Sequence, residues 1–343
     1  MEFFKAAKPA AGLRHFIRLL CVFALLCLSA GTVLFYRKPV ILVNDRVFLD
    51  LYGERRTRIE GILSSLRLFR RVLPVYVAPE AGPDLVSLAA ASAAGKSYSG
   101  PCAVVFPYRF RDGAGRFFRT YPDIPVVVLG GNIESGFEAG ETGAIRLVRD
   151  GPARFGADLL TDFYRAGSMA ALCARGGPGK GGPRDQGGNS PASEVLFFGD
   201  FSQNGGEISA GEREAFERGL SEQGFSGASR YIRSDSDFTP GGSLPGCVVV
   251  RDGGVSYLEA FPGPEMPPVL LFSWIDPAAV PAETLAVFDD SPWALLVPLI
   301  GLLEKGEVRG LIPSRIRILD QKNRSELVKK LKKLNFTGFQ ADN

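Results

Sequence analysis

Two adjacent carboxylates, Asp289 and Asp290, follow the apolar run "TLAVF" near the C-terminal end of the chain. Carboxylates at the end of a buried strand can serve as a general acid and base, bind a metal ion, hold a ligand or cap a helix. Adjacent residues of an extended strand point to opposite faces, so both side chains are not expected to line one pocket. The pattern therefore does not favour a catalytic pair. It does not favour a metal site either, because no further metal-ligating residues cluster nearby in the sequence.

The next residues, Ser291 and Pro292, give the two carboxylates unequal roles. Proline is favoured in the first turn of a helix, and aspartate is a preferred N-cap. The pattern therefore predicts Asp290 as the N-cap of a helix that starts near Trp293. It leaves Asp289 as a residue that contacts a ligand or lies at a hinge.

Histidine and cysteine usage excludes several catalytic classes. The only histidine is His15, so the chain after residue 38 holds no Ser-His-Asp or Cys-His site and no histidine-ligated metal. It also contains no GxSxG motif. Cys102, Cys173 and Cys247 are widely spaced, and we expect buried thiols with at most one disulfide. We predict a protein that is not an enzyme, with no cofactor and no metal.

The N-terminal region predicts export. Four basic residues and one acidic residue in positions 1–18 precede the uncharged run "LLCVFALLCLSAGTVLFY", residues 19–36. Its length suits a signal-anchor that binds the membrane, whereas small residues at 29–31 suit a cleaved signal peptide. Both alternatives place residues 38–343 in the periplasm or another extracytoplasmic space, either anchored to the inner membrane or secreted.

The charge balance argues against nucleic-acid binding. Removing 4 of 40 basic and 1 of 37 acidic residues at the tip leaves 36 of each in the remaining chain. The formal charge of +3 therefore belongs to the N-terminal tip, and no nucleic-acid partner is expected.

Apolar runs and helical patterns alternate twice along the chain. In the first half, "PVILVND", "VLPVYVAP", "CAVVFPYRF", "IPVVVLGGN" and "AIRLVRD" (residues 144–150) predict strands separated by helices. After a long helix beginning "FGADLLTDFYRAG" and a Gly/Pro-rich loop at 176–191, "EVLFFGD", "SRYIRS", "GCVVVRDGG", "PPVLLFSWID", "TLAVFDD" and "IPSRIRILD" predict a second set. Such alternation is typical of parallel sheets covered by helices. The last segment, "NRSELVKKLKKLNF", predicts a basic amphipathic helix on the surface.

Three stretches resemble the type I periplasmic-binding-protein-like superfamily. "TDFYRAGSMAALCA" (161–174) is similar to the helix after its inter-lobe crossing, and "EVLFFGD" with "EREAFERGLSEQG" is similar to the next strand and helix. The run 269–319 is similar in spacing to the basic membrane lipoprotein branch of ABC substrate-binding proteins. The resemblance implies an α/β fold of two Rossmann-like lobes with parallel sheets, joined by a multi-strand hinge and preceded by an N-terminal hydrophobic helix.

This pattern divides the chain into five parts. Residues 1–37 are the signal or signal-anchor segment, 38–150 the first lobe and 151–283 the second lobe. Residues 284–320 supply a hinge-crossing strand, a helix of the first lobe and the final strand. Residues 321–343 form the basic C-terminal helix and tail.

The carboxyl ends of the predicted strands supply the candidate ligand-binding residues, because ligands of open α/β sheets bind there. Aromatic rings can stack on a ligand, and arginine can hold a carboxylate or phosphate through two hydrogen bonds. Several of these residues could equally cap helices or lie in the core. The candidates are Asn44, Asp45, Tyr108, Arg109, Asn132, Asp200, Phe201, Trp274, Asp276 and Asp289.

Together these features predict an exported, membrane-tethered solute-binding protein that closes two lobes on a small polar ligand for ABC-type uptake or sensing. The expected ligand is similar to a nucleoside, a sugar or an amino acid, and an ABC transporter permease is the expected partner. The alternative is a binding-protein-like scaffold or interaction module of the envelope that has lost its ligand, which the Gly-rich insertion favours.

Overall fold

The computed structural model describes most of the chain after residue 35 and part of the N-terminal segment. The described residues are 16, 18–22, 25, 29, 31–32, 36–97, 100–130, 151–176, 194–198, 208–232, 245–251, 266–272, 280–321 and 324–334. No helix within these residues has the length and apolarity needed to cross a bilayer. The predicted segment 19–36 is described only in part, and its role stays a prediction.

Twelve strands in the described residues form two six-stranded sheets. The first sheet has the order β11-β5-β4-β3-β1-β2, and the second has the order β12-β10-β9-β8-β6-β7. The strands are β1 Val40–Asp45, β2 Val72–Val77, β3 Ala103–Pro107, β4 Val126–Leu129, β5 Ala153–Ala157, β6 Val195–Phe198, β7 Ser229–Ile232, β8 Cys247–Arg251, β9 Val269–Phe272, β10 Thr284–Asp289, β11 Arg309–Ile312 and β12 Arg315–Ile318.

Eight α-helices connect or follow these strands in the described residues. They are α1 Arg46–Tyr52, α2 Glu54–Leu68, α3 Pro83–Gly95, α4 Arg111–Thr120, α5 Leu159–Gly176, α6 Ala210–Glu222, α7 Pro292–Glu304 and α8 Ser325–Lys332. A single 3₁₀ turn, Tyr108–Phe110, follows β3. The alternation of strand and helix gives the α/β class that the sequence predicts.

Strand directions explain why both faces of the central strands are apolar. β1 runs parallel to β2 and β3, and β11 runs parallel to β5. In the second sheet β7, β6, β8, β9 and β10 run parallel. There, alternate residues of β6 enter two different apolar clusters, with Phe197 on one face and Leu196 and Phe198 on the other. Helical crossovers cover both faces of a parallel sheet, so continuous apolar runs result.

The sequence prediction fails at three strands. β5 and β11 were not predicted, because "ARFGA" and "RGLI" are short and contain glycine and arginine, which weaken a strand pattern. The residues 155–157, predicted as the start of a helix, belong to β5, and α5 begins at Leu159. β12 pairs antiparallel with β10, so the second sheet is not wholly parallel. The strand predicted at 144–150 lies outside the described residues.

The N-cap of α7 is Ser291, and the prediction of Asp290 is wrong. The Ser291 hydroxyl accepts a hydrogen bond from Ala294 N at 3.2 Å, and Pro292 opens the helix. Serine and aspartate are both preferred N-caps, because either side chain can accept a hydrogen bond from an N–H group of the first helical turn. The N-cap lies one residue later than predicted, so Ser291, and not Asp290, accepts this bond. The predicted start of the helix near Trp293 is confirmed.

The chain divides into two compact units. One consists of residues 1–46, 58–128 and 148–153, and the other of 47–57, 129–147 and 154–343. The start of α2 therefore belongs to the second unit although its later turns belong to the first. The five-part division predicted from the sequence stays a prediction.

Helices α5 and α6 pack with their backbones very close together. A Cβ atom at Gly167 would lie 2.1 Å from the Phe216 carbonyl oxygen, and one at Gly219 would lie 2.1 Å from the Tyr164 carbonyl oxygen. No side chain fits at such distances, so glycine at both positions is a requirement of the packing. The two helices cover one face of the second sheet as a pair.

The C-terminal helix α8 packs on this same side. Leu327, Val328 and Leu331 are buried in the cluster that holds α5, while its lysines face outward. The amphipathic pattern is thus explained by packing within the protein. Cys173 and Cys247 are buried in the same cluster as free thiols, which confirms the prediction for these two cysteines.

Candidate functional site

Half of the predicted ligand-binding residues fall in the described part of the chain. Asn44, Asp45, Tyr108, Arg109 and Asp289 have defined surroundings. The other five lie outside the described residues: Asn132, Asp200, Phe201, Trp274 and Asp276. Their assignment as ligand contacts stays a prediction.

Two of the described candidates form an ion pair at the carboxyl edge of the first sheet. Arg109, in the 3₁₀ turn after β3, donates from Nη1 to Oδ2 of Asp45 at 2.5 Å. It also donates from Nη2 to the carbonyl oxygen of Pro79 at 3.1 Å. Asp45 ends β1, and β1 and β3 are parallel neighbours, so the sheet brings both strand ends together. The Arg109 side chain remains 47% exposed, which leaves part of its guanidinium open to a ligand.

Asn44 and Tyr108 lie next to this pair in the sequence but differ in accessibility. Asn44 is buried, and its Nδ2 has no hydrogen-bond partner among the described residues. Tyr108 is exposed, with the Arg111 guanidinium 4.7 Å from its ring centroid. An exposed ring beside an ion pair is a surface on which a planar or sugar-like group can stack.

Asp289 is not exposed to solvent, as a residue that awaits a ligand would be expected to be. It is fully buried at the end of β10, and its Oδ2 accepts from Arg56 Nη2 at 2.8 Å and from Arg315 Nη2 at 3.0 Å. Its Oδ1 accepts from the Ser291 N–H at 3.1 Å. The carboxylate is therefore already engaged by three donors, and all of these residues belong to the second unit.

The sheet register brings a third arginine to this carboxylate. Asp289 is opposite Arg315, and Val287 is opposite Arg317, in the antiparallel pair of β10 and β12. Arg315 and Arg317 are two residues apart on a strand, so their side chains leave the same face. Arg56 comes from the first turn of α2, where its guanidinium carbon lies 3.7 Å from the centroid of the Tyr52 ring. We refer to Arg56, Arg315 and Arg317 as the arginine cluster.

Burial and like charges act on Arg317. Burial lowers the pKa of Arg317 most strongly, and the nearby Arg56 guanidinium lowers it further. The Asp289 carboxylate raises this pKa. Its Nη1 is buried without a hydrogen-bond partner among the described residues. Guanidinium groups bind carboxylates and phosphates in two-point contacts, so this cluster has the chemistry of an anion-binding site.

A second buried carboxylate, Asp162, lies at the start of α5. The Ser314 N–H, in the connection between β11 and β12, donates to its Oδ1 at 3.0 Å and its Oδ2 at 3.1 Å. Burial raises the pKa of Asp162 to about 7, against the lowering effects of Ser314 and of Arg165, whose Nη1 is 3.8 Å away. Asp158 nearby raises it further. Asp162 thus fixes the connection that places Arg315.

Several solved structures resemble the chain at low sequence identity. They include a glucose-galactose binding protein from Geobacillus stearothermophilus, with 13% identity over 83% of this chain and 98% of that one and a TM-score of 0.41. An ABC transporter solute-binding protein from Agrobacterium vitis bound with alpha-D-tagatopyranose has 11% identity, coverage of 86% and 99%, and a TM-score of 0.47. A LacI family transcriptional regulator from Weissella paramesenteroides with bound sucrose has 9% identity, coverage of 82% and 97%, and a TM-score of 0.44.

No protein-family model and no curated protein matches the sequence. The strand order of this chain therefore serves to describe its fold. It is a two-sheet α/β fold. Each sheet has six strands joined largely by helices, as the resemblance to type I periplasmic-binding-protein-like proteins implies.

The arginine cluster and Asp162 were not predicted from the sequence. A signal existed for two of the arginines, because "SRIRIL" alternates arginine with isoleucine as a strand with one charged face does. Arg56 is one of several arginines in the run "ERRTR", and nothing in that run marks it. Among the described residues, no group of three His, Cys, Asp or Glu side chains could share a metal ion.

Replacing Asp162 by asparagine is expected to change how stability depends on pH. The folded carboxyl has a pKa of about 7, whereas the unfolded one ionises near 3.8. The stability that the carboxyl contributes is therefore present at acid pH and is lost as pH rises from about 4 to 7. Across that range the wild type should lose stability relative to Asp162→Asn, on the order of a few kcal/mol.

Urea unfolding of both proteins at pH 5, 6, 7 and 8 measures this difference. Asp84→Asn serves as the control, because the Asp84 side chain is exposed. A stability difference between wild type and Asp162→Asn that stays constant with pH would contradict the assignment.

Proposed function

We propose that this chain is an exported, membrane-tethered solute-binding protein that binds a small polar ligand for ABC-type uptake or sensing. The observation that carries the proposal is the Asp45–Arg109 pair at the carboxyl ends of two neighbouring parallel strands. Ligands of open α/β sheets bind at this edge. Export and tethering are proposed from the uncharged run at residues 19–36 and its basic flank.

The pair supports binding because it combines fixed geometry with accessible charge. Asp45 is largely buried, and it orients Arg109 through a short ion pair. Arg109 keeps an exposed portion that can donate to hydroxyl or carboxylate oxygens of a ligand. Tyr108 adds an exposed ring on the same turn. A sugar, nucleoside or amino acid offers both a ring or chain to cover and oxygens to accept these bonds.

The proposal does not include catalysis. Among the described residues, the Asp45–Arg109 pair holds an anion and a cation already paired with each other, with no nucleophile assigned to either. A site of this composition can orient a ligand through charge and hydrogen bonds. We place the protein in the extracytoplasmic space, where an ABC transporter permease would be its partner.

Arg109→Ala is expected to lower the affinity for the ligand at least tenfold, because a hydrogen bond to a charged group contributes about 1.5–3 kcal/mol. Isothermal titration of the purified protein against a panel of sugars, nucleosides and amino acids measures this. Arg116→Ala is the matched control, since Arg116 forms an exposed ion pair with Asp84 between two helices.

Two results would count against the proposal in different ways. Binding that Arg109→Ala leaves unchanged would move the ligand away from the first sheet. Absence of binding to every class in the panel would favour the alternative of an envelope scaffold module without a ligand.

A further inference from the structure

Among the residues that the structure describes, the charges around Arg317 do not neutralise it. The charges that act most strongly on it are the guanidinium groups of Arg56 and Arg315 and the carboxylate of Asp289. Asp289 in turn gives both of its oxygens to other donors, Oδ2 to Arg56 and Arg315 and Oδ1 to the Ser291 N–H. The local charge near Arg317 is therefore dominated by cations.

Burial makes this imbalance costly. The Nη1 atom of Arg317 is shielded from solvent and has no hydrogen-bond partner among the described residues. A buried donor without an acceptor loses its hydration without replacement, and a charged one loses more than a neutral one. A ligand that supplies the missing acceptor restores the hydrogen bond of this donor. The free energy that the donor loses on burial is then recovered when the ligand binds.

The fold also fixes the directions of these side chains. Arg315 and Arg317 share one face of β12, and the antiparallel pairing with β10 sets their distance from Asp289. The Tyr52 ring lies against the Arg56 guanidinium and holds its plane. A rigid arrangement of guanidinium groups loses little entropy when it binds an oxyanion, which is the condition for a selective site.

We propose that the arginine cluster, with Arg317 as its central donor, binds the carboxylate or phosphate group of a small anionic solute. Asp289 then acts as a positioning residue that gathers Arg56 and Arg315 and leaves Arg317 to the anion. The proposal is independent of the Asp45–Arg109 site, since every residue in it belongs to the second compact unit.

The test uses the full chain and three probes at equal ionic strength: phosphate, acetate and chloride. At ten times the dissociation constant, phosphate or acetate should raise the melting temperature by about 2–4 °C above chloride. Arg317→Met should abolish this response. The variant should also be at least as stable as the wild type in chloride, because it removes a half-buried guanidinium whose Nη1 has no acceptor among the described residues.

Arg317→Lys and Arg213→Ala complete the design. The lysine variant keeps the charge but loses the planar two-point contact, so it should retain a reduced response to the anion. Arg213 lies in an exposed ion pair with Glu217 on α6, and its removal should leave the response unchanged. These variants separate loss of the anion contact from a general change in net charge.

The proposal is overturned if phosphate and acetate stabilise no more than chloride, or if Arg317→Met responds to them as the wild type does. It is also overturned if Arg317→Met is destabilised in chloride, because Arg317 would then be a compensated structural residue. Failure of this test leaves the sugar, nucleoside and amino-acid titrations unaffected, since those report on Arg109.

Discussion

Gly219→Ala and Gly167→Ala are each expected to destabilise the protein by about 3 kcal/mol. The added methyl group would lie 2.1 Å from a carbonyl oxygen of the facing helix, Tyr164 for one and Phe216 for the other. The obstacle is backbone, which cannot rotate away as a flexible side chain could, so α5 and α6 must separate. Alanine's better helix propensity, about 1 kcal/mol, recovers only part of this loss.

Urea or thermal unfolding of each variant measures the effect. Gly301→Ala is the matched control, because it makes the same change within helix α7 and its Cβ would meet nothing within 4 Å. It should leave stability unchanged or raise it by up to about 1 kcal/mol. If the two interface variants behave as Gly301→Ala does, the close packing of α5 on α6 is wrong.

Asp289→Ala is expected to cost about 3–5 kcal/mol of stability, because it removes a fully buried carboxylate with which both Arg56 and Arg315 form ion pairs. The guanidinium groups, whose side chains are 11% and 26% exposed, would be left close together with little water to screen them. Asp289→Asn should cost less, since an amide oxygen can still accept one of their hydrogen bonds.

Asp84→Ala provides the comparison for Asp289→Ala. The Asp84–Arg116 ion pair is exposed on both sides, so its loss should change stability by no more than about 1 kcal/mol. Chemical unfolding of the three variants ranks them directly. Equal effects of Asp289→Ala and Asp84→Ala would mean that water solvates the arginine cluster.

Local sequence was enough to predict most elements of the fold. Continuous apolar runs such as "VILVND" and "VLFF" define buried parallel strands because both faces of each strand are covered. Helices such as α6 follow from their own period and from the capping box of Ser209 and Glu212. The sequence did not predict β5 and β11, because neighbouring strands, and not the residues of β5 and β11 themselves, supply the stability of these two strands.

The candidate site was only partly predictable. The rule that ligands bind at carboxyl ends of strands led to Asp45 and Arg109, and the structure brings these two together. The same rule led to Asp289 but gave no indication of its partners. Five further candidates lie outside the described residues, and their roles stay predictions.

The α/β class, most strands of the two sets and the strand-end residues Asp45 and Arg109 could be derived from the amino acids alone, because they depend on interactions between near neighbours in the chain. The role of Asp289 depends instead on the folded arrangement of distant segments. Its partner Arg56 is 233 residues away along the chain, and Arg315 is 26 residues away. A buried charge pairs with any opposite charge that the fold brings close, and no local pattern specifies which one that will be.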